Sequence, residues 1–147
     1  MTVSVEAKLK NLLAAEEIRQ LMAKYCHGID KHDEATFMSI WAEDAEYKLP
    51  RGSASNIDEV RELVRKVWTQ VPRCHHHITN PVISVDGQSA TAATDVFYFR
   101  LTSDGLHTLL SGSYEFRFAE VDDEWKVTFL EFSSFVDTSP VFAENER

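Results

Sequence analysis

The run PRCHHHITN, residues 72–80, is the point at which the apolar pattern of this sequence changes. Before this run, apolar residues recur every three or four positions, which is typical of amphipathic helices; after it they recur every second position, which is typical of strands. Three of the six histidines stand in the run, at His75, His76 and His77. We therefore expect helices upstream, a sheet downstream, and a histidine-bearing strand where the two meet.

The first predicted helix extends from about Glu6 to Ile29, with Gly28 marking its fraying end. Steps of three and four along this segment give one apolar face. Its members are Leu9, Leu12, Leu13, Ile18, Leu21, Met22, Tyr25 and Ile29.

A short second helix is predicted after Asp33, whose side chain is a suitable N-cap, with Phe37, Ile40 and Trp41 on one stripe. The segment AEYKLP, residues 45–50, indicates a brief strand. A third helix starts at NIDE, residues 56–59, which resembles a capping box with Asn in the usual Ser or Thr position. Its apolar side is formed by Val60, Leu63, Val64, Val67 and Trp68.

Four strands are predicted after Pro72, near residues 74–85, 90–102, 107–120 and 125–137. The turn sequences DGQ, SDG and DDE separate them. Short turns between consecutive strands predict an antiparallel meander. Three helices followed by a curved sheet give an α+β domain in which a cone-shaped pocket lies between the layers. We expect residues 1–147 to form a single domain of this kind.

The composition of the chain limits the classes of partner and the cellular location that we expect. The net charge of −9 argues against a nucleic-acid or anionic-membrane partner, since both favour a basic surface. The first residues resemble no signal peptide, and no apolar run approaches the roughly 20 residues that span a bilayer. With only two cysteines, Cys26 and Cys74, the chain does not resemble a disulfide scaffold. We expect a cytoplasmic protein with reduced thiols.

The histidine run has a simple geometric consequence. Neighbouring side chains of a strand point to opposite faces, so His76 opposes His75 and His77. Three consecutive histidines therefore cannot converge on one ion, and an H-x-H pair would still need a third ligand. We expect no metal and no cofactor. His75 and His77 are interpreted as exposed, and His76 as facing the pocket.

A histidine becomes a useful base when a partner orients it. Asp30 is one candidate, because a carboxylate at the end of the first helix gains nothing from the helix dipole. It is also consistent with an ordinary solvated residue in the charged connection DKHDE. In the functional interpretation, Asp30 accepts the Nδ1–H of His76 and leaves Nε2 free to remove a proton.

Tyr25 lies on the apolar stripe and is either a core residue or a hydrogen-bond donor to a substrate oxygen. A thiol nucleophile at Cys74 is not expected, because His75 beside it points to the other face. Eight large apolar residues are most simply interpreted as core residues, and some of them must line any pocket: Phe37, Trp41, Val96, Phe97, Leu110, Tyr114, Phe132 and Phe135. Residues predicted to line the pocket and contact a substrate are Tyr47, Trp41, Val96, Tyr98, Leu110, Tyr114 and Phe132.

These features together resemble a known family. Residues 16–47, EEIRQLMAKYCHGIDKHDEATFMSIWAEDAEY, resemble the opening of the SnoaL-like branch of the nuclear-transport-factor-2-like superfamily. The segment has a helix ending in Tyr-x-x-x-x-Asp, an apolar-Trp pair and Asp-Ala-x-aromatic. HHITN (76–80) resembles the family's histidine strand. DVFYF (95–99) and DDEWKVTFLEF (122–132) resemble its later strands.

Within the superfamily, the sequence is most similar to the group of scytalone dehydratase, hexachlorocyclohexane dehydrochlorinase and bile-acid 7α-dehydratase. The resemblance implies an Asp–His pair that abstracts a proton during an elimination, at Asp30 and His76, with the dehydratase tyrosine at Tyr25. The dehydrochlorinase has a lysine at the Tyr25 position and an arginine near Leu130, so dehalogenation is not implied. The second pocket histidine of scytalone dehydratase is missing from DVFYFRL, residues 95–101.

The sequence therefore predicts a cofactor-independent, dehydratase-like lyase acting on a small apolar cyclic or carbonyl compound. Two alternatives stay open. One is an isomerase or cyclase that resembles steroid isomerase or the polyketide cyclases. The other is a non-catalytic ligand-binding protein, or a partner that resembles the β subunit of ring-hydroxylating dioxygenases. The superfamily resemblance also implies a homo-oligomer, either dimer or trimer. The tail TSPVFAENER, residues 138–147, either closes the pocket or reaches a neighbouring subunit.

Overall fold

The helices of the protein begin where their capping residues stand. The computed structural model describes residues 4–137; the tail 138–147 lies outside this range. Ser4 accepts the backbone N–H of Ala7 at the start of the first helix, and Asp33 accepts that of Thr36 at the start of the second. Asn56 accepts the N–H of Glu59. The three helices are α1 (Val5–Lys31), α2 (Glu34–Met38) and α3 (Ile57–Gln70).

The capping box predicted for α3 is present in a shifted form. The Glu59 carboxylate accepts the backbone N–H of Ser55, at 2.8 Å, and not that of Asn56. The side chains of Asn56 and Glu59 thus each accept a backbone N–H group, so the start of α3 is fixed as the sequence predicts.

One six-stranded sheet follows the order β2-β1-β6-β5-β4-β3. The meander β3 to β6 is antiparallel, as predicted, but β1 pairs with β6 in parallel, so the sheet is mixed. The sheet is curved and unclosed, and the three helices pack on it, which confirms the α+β prediction. The strands are β1 (Trp41–Leu49), β2 (Gly52–Ala54), β3 (Arg73–Asp86), β4 (Ser89–Leu101), β5 (His107–Val121) and β6 (Glu124–Asp137).

Several local predictions were wrong. The second helix ends at Met38, so Ile40 and Trp41 do not continue its stripe, and Trp41 begins β1. Strand β2 was not predicted. The first helix continues past Gly28 to Lys31 because Gly28 is not a terminus but a contact point. A Cβ atom there would lie 2.8 Å from the backbone of Phe37, so glycine allows α1 and α2 to approach closely.

The apolar stripe of α1 is buried only in its second half. Leu9, Leu12 and Leu13 are exposed, whereas the stripe residues from Ile18 onward belong to the core. Phe97 and Phe135 are 41% and 66% exposed, which corrects their expected place in the core. The homo-oligomer that would cover such residues stays a prediction. No helix within residues 4–137 is long and apolar enough to cross a membrane.

Candidate active site

The last turn of α1 brings Asp30 to strand β3, where it meets His76. Nδ1 of His76 lies 2.5 Å from Oδ1 of Asp30, and the backbone N–H of His76 donates to Oδ2 at 2.8 Å. The two side chains are only 10% and 4% exposed. Strand alternation places His76 inside and His75 and His77 outside, as the sequence predicts, and the latter two rings lie 4.4 Å apart.

The protonation of this pair follows from its surroundings. Burial raises the pKa of Asp30, but the hydrogen bonds and charge of His76 and the thiol of Cys74 outweigh this, so the pKa lies below its usual value. An ionised Asp30 can only accept, so Nδ1 of His76 must carry a proton. In the neutral ring the lone pair is then on Nε2. Nε2 has no hydrogen-bond partner among residues 4–137.

Cys74 is a site residue that the sequence analysis missed. Its thiol donates to Oδ1 of Asp30 at 3.3 Å. Burial, followed by the nearby Asp30 charge, raises the pKa of the thiol, so Cys74 is a neutral donor and not a nucleophile. The signal was available: Cys74 stands two residues before His76 and therefore shares its face of β3.

Three tyrosines meet beside the histidine ring. The hydroxyl of Tyr25 lies 2.9 Å from that of Tyr47 and donates to that of Tyr114 over a longer 3.4 Å. A phenol carries one proton, so Tyr47 must donate to Tyr25. The proton of Tyr114 is then free for a ligand. Burial raises the pKa of all three phenols, so they are protonated donors.

A cavity of about 180 Å³ joins these groups. The ring of His76 lies over that of Tyr98, with centroids 4.5 Å apart and planes 15° from parallel. The cavity wall is otherwise mainly apolar or aromatic. Its lining residues are Tyr25, Ile29, Tyr47, Leu49, Pro50, Arg51, Val67, Val71, Cys74, His76, Tyr98, Arg100, Leu110, Tyr114, Phe132 and Ser134.

Most predicted contact residues lie in this wall, but two do not. Trp41 and Val96 are 3% and 2% exposed, belong to the hydrophobic core and are not part of the lining. Trp41 packs behind the site, with its ring 5.0 Å from that of Tyr47. The structure therefore agrees with the interpretation of these two residues as core residues and corrects their predicted contact role.

The sequence analysis also missed the two arginines of the wall, Arg51 and Arg100. A charged residue in a strand is usually solvated, so the residue type of Arg100 did not indicate that it lines the cavity. Its position gave one: it stands two residues after Tyr98 and is the strand partner of Cys74. Residues at these positions share the inner face with His76.

One group in the described chain has three potential metal ligands, Asp30, Cys74 and His76, with ligand atoms all within 4.8 Å of one another. The chemistry of this donor set fits a soft divalent ion poorly while the protons are in place. Nδ1–H and the thiol proton already bind the carboxylate, and an ion would have to displace both. The expectation of a metal-free site stays a prediction.

Comparison with known proteins places this architecture in a class. A curved sheet covered by three helices, with polar groups inside the cone, is the fold that this chain shares with a solved nuclear-transport-factor-2-like protein. The profile of the SnoaL-like domain matches residues 10–131. The chain belongs to the SnoaL-like family, as its sequence resemblance implies.

Several solved structures share this fold. The hexachlorocyclohexane dehydrochlorinase LinA type 2 is 22% identical, with a TM-score of 0.88 over 95% of this chain and 97% of that chain. A scytalone-dehydratase-like protein of Novosphingobium aromaticivorans is 21% identical, with a TM-score of 0.79 over 90% and 91%. A nuclear-transport-factor-2-like protein of Salmonella enterica is 19% identical, with a TM-score of 0.76 over 84% and 92%. At these identities the similarity shows the fold alone. No curated protein matches the sequence significantly.

Proposed function

We propose that this protein is a cofactor-independent lyase that removes water from a small cyclic or carbonyl compound. The observation that supports this most is the buried contact between Asp30 and His76 on the wall of an apolar cavity. A histidine with an ionised, hydrogen-bonded partner can act as a general base, and a mainly apolar wall limits contact of its target carbon with solvent. The lyase activity named for the neighbouring LinA structure is consistent with this class.

In the proposed reaction, Nε2 of His76 removes a proton from the carbon next to a carbonyl group. The electron pair of that C–H bond forms the new double bond as the C–O bond breaks. The departing hydroxide takes a proton from the hydroxyl of Tyr114 and leaves as water. The proton held by His76 then restores the tyrosine, so the substrate loses one water and no electrons are exchanged. Asp30 stabilises the imidazolium that forms in between.

The tyrosine cluster refines the role predicted for Tyr25. The hydroxyl of Tyr25 donates its hydrogen bond to that of Tyr114, so Tyr114 is the donor with a proton available to the substrate. Tyr25 and Tyr47 polarise that donor from behind. The rings of Tyr114 and His76 lie 6.3 Å apart, which supports the proposal that acid and base contact the same small molecule.

Dehalogenation is not proposed. Leu130, which stands near the position of the dehydrochlorinase arginine, is fully buried in the core and is not part of the cavity lining. The position of the dehydrochlorinase lysine is occupied here by Tyr25. The cavity therefore has no cation at either position to stabilise a departing halide.

The experiment is a screen of cyclic hydroxy-ketones and hydroxylated enones for loss of water, monitored by mass spectrometry. His76→Ala should abolish turnover, and His75→Ala is the matched control because His75 lies on the outer face of the same strand. A product of unchanged mass would instead favour the isomerase, in which the proton returns to the substrate. Undiminished dehydration by the His76→Ala protein would contradict the proposal.

A further inference from the structure

The cavity has a buried end and an exposed end with different chemistry. The phenols of Tyr25, Tyr47 and Tyr114 are almost completely buried. At the other end Arg51 is exposed and Arg100 is half-buried. None of the lining residues is acidic. An acidic protein of net charge −9 thus presents two guanidinium groups along this wall and, within residues 4–137, no carboxylate.

Arg100 is held in a defined position. Its Nε donates to the hydroxyl of Thr108 at 2.7 Å, and Thr108 is itself only 8% exposed. This bond leaves the two terminal amino groups of the guanidinium for another acceptor. Within residues 4–137 no carboxylate forms an ion pair with Arg100. Asp104 is exposed in the following turn, and its pKa is lowered first by the hydroxyl of Thr102 and least by Arg100.

Strand register sets the spacing along the sheet between the backbones of Arg100 and His76. His76 pairs with Tyr98, and Cys74 pairs with Arg100. The two pairs are two residues apart along the strands, which corresponds to about 6.8 Å. The space between them is bounded by the ring of Tyr98. A ligand of one ring has a comparable length, so it can contact both the His76 and the Arg100 side chains.

We propose that the substrate of this site carries a carboxylate, which the terminal amino groups of Arg100 bind at the exposed end of the cavity. A planar guanidinium with two free donors matches a carboxylate in two parallel hydrogen bonds. The apolar wall packs against the ring of the substrate. The tyrosine hydroxyls bind an uncharged oxygen of the substrate, either that of the leaving hydroxyl group or that of the carbonyl group. A cavity of about 180 Å³ suits one ring with small substituents, since a cavity of about 150 Å³ accommodates benzene.

This inference rests on the proposed function for the orientation of the substrate between His76 and Arg100. Its test, however, measures binding alone and requires no turnover. The probes are benzoate and benzamide, which have nearly the same shape and differ in charge. Isothermal titration calorimetry should show that the unaltered protein binds benzoate at least about tenfold more tightly. Arg100→Gln should weaken benzoate binding by about 10- to 100-fold and leave benzamide binding unchanged. Arg100→Lys keeps the positive charge but loses the planar guanidinium with its two donors. Its affinity for benzoate should lie between those of the unaltered protein and Arg100→Gln.

Two controls separate this inference from its alternatives. Arg117→Gln makes the same change in net charge at a residue that packs over Phe129, outside the cavity lining, and should not alter the preference. His76→Ala should keep the preference for benzoate, so a failure of the lyase proposal leaves the inference standing. Equal binding of the two probes, a preference that survives in Arg100→Gln, or no benzoate binding at millimolar concentration would overturn it. Circular dichroism verifies that each variant is folded.

Discussion

The Asp30 carboxylate receives both the ring Nδ1–H and the backbone N–H of His76, one on each oxygen. The backbone bond ties the carboxylate to strand β3, and the ring bond then sets the orientation of the imidazole. The pair is thus positioned by the contact between the end of α1 and the start of β3.

Replacing the carboxylate by an amide tests its role in setting the tautomer. Asp30→Asn keeps the size of the side chain, but its nitrogen donates where the native oxygen accepts. We expect kcat to fall by about 10²–10⁴-fold in the dehydration assay, with a much smaller change in KM. Asp33→Asn, at the exposed cap of α2, is the control and should retain activity. A variant with native kcat would show that Asp30 does not serve the base.

The lowered pKa of Asp30 also predicts how stability depends on pH. A carboxyl group whose pKa is lower in the folded than in the unfolded protein stabilises the fold above the unfolded value, near 3.9. That contribution is lost as the pH falls through the lower folded value. We expect the free energy of unfolding, measured by urea denaturation, to decline below about pH 4, and less steeply in Asp30→Asn. Parallel curves for the two proteins would contradict the shift.

Cys74 is expected to position the carboxylate and not to react. Cys74→Ala removes the thiol bond to Asp30 and should lower kcat/KM by about 2- to 10-fold. Cys74→Ser retains a donor at this position and should restore most of the activity, which a purely packing role of the sulfur would not explain. Equal losses in the two variants would point to packing instead.

The direction of the phenol chain predicts an order among the tyrosines. Tyr114→Phe removes the proton offered to the substrate, so kcat should fall by about 10²-fold. Tyr25→Phe removes a group that acts through Tyr114, so its effect should be smaller. Phenylalanine preserves the packing in both cases. A larger loss of kcat in Tyr25→Phe would reassign the donor to Tyr25.

Much of the fold was predictable because local signals and burial agree. The caps at Asp33 and Asn56 have side chains that bind the first helical N–H groups, and the period of two after Pro72 is what an antiparallel meander requires. The prediction failed where two patterns coincide. Phe37, Ile40 and Trp41 have helical spacing, yet pairing of Trp41 with Val127 of β6 places it in a strand.

The site was predictable in part for the same reason. Strand alternation separates His76 from its neighbours, and the family resemblance supplies Asp30. The exposure of Phe97 did not follow, because alternating apolar residues do not reveal which face of a sheet is covered. Arg100 and Cys74 were missed because their side chains were judged by residue type, although their position relative to Tyr98 and His76 places them on the inner face.

The protonation of His76 tests the central claim most directly and requires no substrate. Nitrogen-15 NMR correlations of the histidine ring distinguish a proton on Nδ1 from one on Nε2. In the neutral ring we predict that Nδ1 of His76 is protonated and Nε2 is not, and that Asp30→Asn shifts the proton toward Nε2. A native His76 that carries its proton on Nε2, or that exchanges between the two forms, would contradict the account.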